Sequence, residues 1–223
     1  MSRDRFGTPP PSGYWPSNQP PPLDRTVAKF LRDWKLVKRA RFNAAKRFEH
    51  KNDASVLAFA VAGLTGFLVP VYTLIFRDDL SMHQRNALEF TSQITGAMSL
   101  ILGLVEQAKE HSSKSKRFDT CGRQVNSVLR KLARSTPRSE DELNRLVGEY
   151  ERALEKCEVN HDDIDYDLAK AQQSLEDAPD ALSRKKAENQ LKRVKQRAWF
   201  QTYWLYAIIW IVPPLIGIVL WFR

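Results

Sequence analysis

The sequence predicts an all-α membrane protein, with three transmembrane helices continuous with a cytosolic helical bundle. Three observations carry that prediction. Apolar residues gather in blocks at about 54–76, 87–105 and 199–223, although the mean hydropathy of the whole chain is only −0.46. The sequence between the blocks is dense in charge and keeps a helical spacing of its apolar positions. The formal net charge of +9 is concentrated beside the blocks rather than spread evenly.

Residues 1–24 hold seven of the twelve prolines, including Pro9-Pro10-Pro11 and Pro20-Pro21-Pro22. Such a stretch forms neither helix nor ladder and reads as an extended, disordered tail. Residues 25–51 carry ten Lys and Arg against Asp33 and Glu49. With Phe30, Leu31, Trp34, Val37 and Phe48 interleaved, they form a basic amphipathic helix. Either it lies on the inner leaflet with Trp34 at headgroup depth, or it leads directly into the first span.

The transmembrane hairpin occupies 52–105. Its first span, 54–76, has no charged residue and exceeds the roughly 20 residues that cross a bilayer core. Gly63, Gly66 and Pro70 interrupt it, which requires neighbours to satisfy the freed backbone groups. The second span, 87–105, carries a polar and small stripe of Glu89, Ser92, Gln93, Gly96, Leu100 and Gly103. That stripe is costly against lipid and must face protein or water. Two readings stand side by side. One is a close helix contact through Gly96 and Gly103. The other is a pore wall lined by Glu89, Gln93, Gly96, Leu100 and Gly103, with Glu89 forming a carboxylate ring near the outer mouth.

Residues 106–198 form the cytosolic helical domain. With no proline from Glu106 to Arg134, the second span is predicted to continue as one helix of roughly 45 residues, about 70 Å long. Ser139 with Glu142 reads as a capping box opening the next helix, whose stripe is Leu143, Leu146, Val147, Tyr150, Leu154 and Cys157. A turn at 160–163 precedes a third helix. After Pro179 a basic helix (184–197) runs into the third span, 199–223, which has aromatic residues at both ends and a kink expected at Pro213-Pro214. Net charge alternates from +6 (106–138) to −10 (139–183) to +6 (184–198). Either the acidic helices pack on these two basic ones, or a basic surface stays open to a polyanion.

The segment 25–51 before the first span is net +8, whereas the 77–86 loop is neutral. The N-terminus and the central domain are therefore expected in the cytosol, and the C-terminus outside. Cys121 and Cys157, both in the central domain, are expected as separate reduced thiols. No nucleophile–base pair, phosphate-cradling glycine loop or zinc motif stands out, so neither an enzyme nor a cofactor is expected. His161 with Asp162, Asp163 and Asp165 lacks a metal-ligand spacing. A helix start with Asn160 as cap, and His161 and Tyr166 bonded locally, fits better.

The run Glu149-Tyr150…Cys157-Glu158-Val159-Asn160-His161-Asp162-Asp163-Ile164-Asp165-Tyr166, with Arg123 in Cys-Gly-Arg and the Arg47-Phe48 pair before the first span, resembles the SLATT family over about residues 30–175. These are two-transmembrane effectors associated with bacterial nucleotide-signalling and reverse-transcriptase systems. A structural motif of Asn160, His161, Asp165 and Tyr166 is the core of the resemblance. It implies an antiphage effector in the bacterial cell membrane, an oligomeric ion channel whose opening depolarises the membrane and stops growth. It also implies control by a nucleotide or a short single-stranded oligonucleotide made by a partner nucleotidyltransferase. A homotetramer is the leading assembly. The residues compatible with ligand phosphates are Lys114, Lys116, Arg117, Arg123, Arg130, Lys131 and Arg134. The rival readings are a non-conducting membrane scaffold that recruits a cytosolic partner, and nucleic-acid tethering by the same cations.

Overall fold

The computed structural model describes residues 23–222 apart from Thr136, Arg138 and Glu158. The proline-rich stretch at the N-terminus therefore lies outside the described residues. Six helices follow one another: α1 (Leu23–Ile75), α2 (Met82–Ala108), α3 (His111–Ser135), α4 (Glu140–Glu155), α5 (Asp163–Glu176) and α6 (Ala181–Phe222). No strand occurs among the described residues. Among the described residues, two helical stretches are long and apolar enough to cross a membrane, one in α1 and one beginning with α2.

The basic amphipathic segment and the first apolar stretch are one unbroken helix of 53 residues. Of the two readings of 25–51, the direct lead into the apolar stretch is therefore the observed one. Trp34 offers no exposed face to a lipid headgroup. It is 3 % exposed in a protein core with Val27, Val128, Leu132, Leu143 and Leu146. Its indole stacks on the Tyr150 ring at 4.3 Å and 7°. The spacing read from sequence supplies the rest of that core, because α3 lays Phe118, Val125, Val128 and Leu132 along α1. At Gly122 the two helices come close enough that a Cβ would meet the Phe42 ring at 3.1 Å.

Inside α1, Pro70 has no N–H to donate to the Gly66 carbonyl one turn earlier. Ser92 of α2 fills that vacancy, its Oγ donating to the Gly66 carbonyl at 3.1 Å. The repair brings the backbones together: a Cβ on Gly66 would lie 3.9 Å from the Gly96 Cα. Both threonine hydroxyls of α2 are satisfied within the helix, Thr91 by the Ala87 carbonyl and Thr95 by the Thr91 carbonyl, both at 2.7 Å. A capping box of Ser81 and Gln84 starts the helix, with bonds of 3.2 and 3.1 Å.

The single helix expected from the second span into the next domain is interrupted. Lys109 and Glu110 separate α2 from α3, and Glu110 has φ 50, in the left-handed region. The cause is a buried carboxylate. Glu106 accepts from Lys109 Nζ at 2.6 Å and from the Tyr206 hydroxyl of α6 at 2.7 Å, and pairs with His111 Nε2 at 2.9 Å. On a straight helix His111 would point about 140° away from Glu106. The break turns it back.

The acidic helices pack on the two basic ones, as the charge pattern suggested, α4 on α3 and α5 on α6, and α5 also contacts α1. α4 packs on α3, where Lys131 meets Glu149 at 2.7 Å. α5 lies along α1, with Glu176 taking Arg39 and Lys35 and Asp177 taking Arg32. Cys121 and Cys157 are not separate thiols but a disulfide, with Cα atoms 5.6 Å apart across a sequence separation of 36. Spacing alone hides this, because pairing depends on α4 returning antiparallel to α3. α6 is helical through Pro213 and Pro214, whose side chains lie outside the described residues.

The Pro70–Ser92 repair makes a testable coupling. Ser92→Ala should lower stability in lipid or detergent by about 1–3 kcal/mol, the cost of an unsatisfied buried carbonyl. In a Pro70→Ala background, where residue 70 donates to Gly66 itself, the same change should cost much less. Equal losses in both backgrounds, measured by thermal melts of the four variants, would sink this account.

Candidate functional site

The motif singled out in the sequence around Asp165 wraps over the middle of α1. Arg47 is 7 % exposed and grips Asp165, itself 2 % exposed, with both arms of its guanidinium. Nε donates to Asp165 Oδ1 at 2.9 Å and Nη2 to Oδ2 at 2.7 Å. Nη2 also reaches Asp162 Oδ2 at 2.6 Å. Burial on its own would lower the Arg47 pKa, but the bonds and charge of Asp165, then Asp162, outweigh it, and the net shift is upward. Two positions on α1 that precede Arg47 by about one and two turns add to the seam. Arg41 donates to the Val159 carbonyl, and Asn43 reaches the Asp165 carbonyl at 3.4 Å and Gln172 at 3.3 Å.

The start of α5 departs from the expected cap. Its N-cap is Asp162, not Asn160, and no side chain caps it, because the Asp162 carboxylate is directed at Arg47 instead. His161 Nδ1 is buried without a hydrogen-bond partner, and the ring stands 6.1 Å from Tyr166, which is 40 % exposed. No group of three or more metal-ligating side chains occurs among the described residues.

The α2 stripe is divided. Gly96 and Gly103 are half-buried beside α1, where a Cβ on Gly103 would lie 3.8 Å from the Phe59 ring. Ser92 is buried in the repair described above. Glu89, Gln93 and Leu100 are exposed. Glu89 and Gln93 line an opening with Arg77 and Arg85 at the end of the hairpin.

The seven cations singled out on α3 are not one surface. Lys114 is half-buried, its Nζ 6.0 Å from the Phe48 ring. Arg123 pairs with Asp119 at 2.8 Å, and Lys131 with Glu149. Arg130 and Arg134 are exposed near the far end of α3. Lys116 and Arg117 share a recess with Lys156, a residue the sequence reading missed because it lies in the acidic block. Glu106 was missed as well. A carboxylate immediately after an apolar stretch looks like an ordinary boundary charge until Tyr206 and His111 are seen to converge on it.

A family model described as SMODS and SLOG-associating 2TM effector domain family 5 matches residues 24–220. No curated protein and no solved structure matches the chain.

Two outcomes are expected from the clamp and its surroundings. Removing one partner of the buried pair, by Arg47→Met or Asp165→Asn, should cost about 3–5 kcal/mol. Asp162→Asn should cost far less, since its side chain is 64 % exposed; a loss equal to that of Asp165→Asn would refute the ranking. The second outcome concerns acid. Burial lowers the pKa of His111, and burial with the nearby Arg41 lowers that of His161. The unfolded chain therefore binds more protons, so stability is complete above the ordinary histidine value of about 6.5 and is lost as pH falls through the depressed values. Thermal melts at about pH 7.5 and about pH 5.5 should show this loss, and the double change His111→Gln, His161→Gln should flatten it.

Proposed function

We propose, because the chain belongs to the SMODS and SLOG-associating 2TM effector domain family 5, that it is an oligomeric pore-forming membrane effector of a bacterial antiphage defence system. In this reading a nucleotide or short oligonucleotide signal from a partner nucleotidyltransferase sets the pore. Opening depolarises the membrane and arrests growth. The helical domain and the N-terminus lie in the cytosol, on the side of the basic flanks, and the end of α6 makes a third crossing. A homotetramer is the assembly we favour.

The observation that carries the reading is the face α2 leaves uncovered. Ser92, Thr91 and Thr95 are accounted for within the chain, whereas Glu89, Gln93 and the 74 %-exposed Leu100 stay exposed. A carboxylate and an amide on an apolar helix are expensive against hydrocarbon, so water or another copy should meet them. The buried contacts from Glu106 to Tyr206 and His111 would then tie the inner end of that face to α3 and α6.

A non-conducting scaffold is the second reading. It is favoured by the close approach of α2 to α1, where a Cβ on Gly66 would lie 3.9 Å from the Gly96 Cα and a Cβ on Gly103 3.8 Å from the Phe59 ring.

Ion flux into liposomes holding the purified full chain separates the two. A pore predicts a conductance whose cation preference falls on Glu89→Gln and whose size falls several-fold on Gln93→Leu, with melting unchanged. Silence under every nucleotide and oligonucleotide condition, with intact protein in the bilayer, would leave the scaffold.

A further inference from the structure

The first half of α6 carries cations that the fold leaves unused. Successive helical residues turn by about 100°, so Ala187, Leu191, Val194, Ala198 and Thr202 share the side packed on α5, α2 and α1. The rest of the circumference carries Lys192, Arg193, Lys195 and Arg197, all exposed. Immediately afterwards it turns aromatic: Trp199 and Phe200 are each 62 % exposed, and Trp204 is 46 % exposed. We infer that this face of α6 binds anionic phospholipid headgroups, with Lys192, Arg193, Lys195 and Arg197 on the phosphates and Trp199 and Trp204 at the adjoining edge of the bilayer. The inference rests on the reading that the end of α6 crosses the membrane; it does not require a pore.

Orientation alone does not call for such a face, because it depends on how many cations flank a span and not on whether they are exposed. Other cations near the apolar stretches show the difference. On α1, Arg41 and Arg47 are buried and bound to the Val159 carbonyl and to Asp165. Lys46 shares its recess with Glu49 and Asp53. Lys109, after α2, is taken by Glu106. On α6 the chain has no acidic residue after Glu188, and Glu188 is engaged by Arg184. Of the acidic residues on α5, which packs on α6, Asp165 holds Arg47 and Glu176 holds Arg39. Asp163 and Asp167 are exposed, and among the described residues no ion pair joins them to α6.

Distance selects the residues. Lys192 to Arg197 lie within about 10 Å of Trp199 along the helix, whereas Lys185 and Lys186 are about 20 Å away. The field of an anionic leaflet decays over roughly 10 Å at about 0.1 M salt, so the nearer four feel it and the farther two do not. Long stems let the four reach toward the boundary, where Trp199 and Tyr203 stand with their rings 5.4 Å apart.

Brominated lipids quench the tryptophans they touch, which gives a test in liposomes of the full chain. Trp15→Phe, Trp210→Phe and Trp221→Phe leave Trp199 and Trp204 as the reporters, since Trp34 is buried. In mixed phosphatidylglycerol and phosphatidylcholine, the brominated anionic lipid should associate about fivefold more strongly than the brominated neutral one, what one cation near a charged surface contributes. Lys192→Gln, Arg193→Gln, Lys195→Gln and Arg197→Gln together should abolish the preference, as should about 1 M salt. Lys185→Gln with Lys186→Gln should leave it intact. Equal quenching by both lipids in the parent chain overturns the headgroup site and leaves the crossing in place. A preference lost to the same extent with Lys185→Gln and Lys186→Gln also overturns it. If neither lipid quenches, α6 does not enter the bilayer, and the third crossing falls together with the inference. A single-stranded oligonucleotide bound through these four cations, without a lipid preference, assigns the face to nucleic acid and overturns the proposal. A silent flux assay with the preference intact would sink the pore alone.

Discussion

The fold is organised around one buried ion pair, Arg47 with Asp165. α1 is a single rod whose lower half is wrapped by α3, α4 and α5 and whose upper half is apolar. α5 is short and acidic and buries little apolar surface: Ile164, Ala169 and Ala171 are its buried apolar side chains. Hydrophobic burial of that size gives weak orientation, because it is non-directional. The bidentate grip of Arg47 supplies direction, and it does so only if both charges are held dry and aligned. Arg41 on the Val159 carbonyl and Asn43 on Gln172 fix the segment on either side, so the connector lies in one place on α1.

The same requirement, that a polar group away from water must meet a partner, shapes the apolar half. Pro70 leaves a carbonyl open and Ser92 closes it. Glu106 collects three donors, and the price is a helix broken at Glu110 in a left-handed conformation. Once these are counted, the exposed polar groups on α2 are His83, Asn86, Glu89 and Gln93 toward its start and Gln107 at its end. What the chain leaves uncovered is thus defined by what it has already satisfied.

Much of this was legible in the sequence, for identifiable reasons. Helical periodicity placed Phe118, Val125, Val128 and Leu132 on one core-facing stripe, and Ser139 three residues before Glu142 marked the start of α4. The first two apolar blocks coincide with the two stretches, among the described residues, that are long and apolar enough to cross a bilayer. Contacts between segments distant in sequence were not legible. Neither the Cys121–Cys157 bond nor the Trp34–Tyr150 stack leaves a local signature, and a tryptophan amid lysines reads equally well as a membrane anchor. The Asp165 motif was visible as a run of polar residues, but its purpose was not. An aspartate after a turn is ordinarily a cap, and only the fold brings an arginine from 118 residues away to claim it.

The unbroken length of α1 has a mechanical consequence. A helix of 53 residues is about 80 Å long. With Arg47 gripped near its midpoint, the beam has a fulcrum. Turning it by about 5° there carries its apolar end, about 40 Å away, through about 3.5 Å, more than the width of a water molecule. A push at the charged arm is therefore returned as a stroke of similar size and opposite sense at the greasy one, with no residue along it changing its backbone conformation.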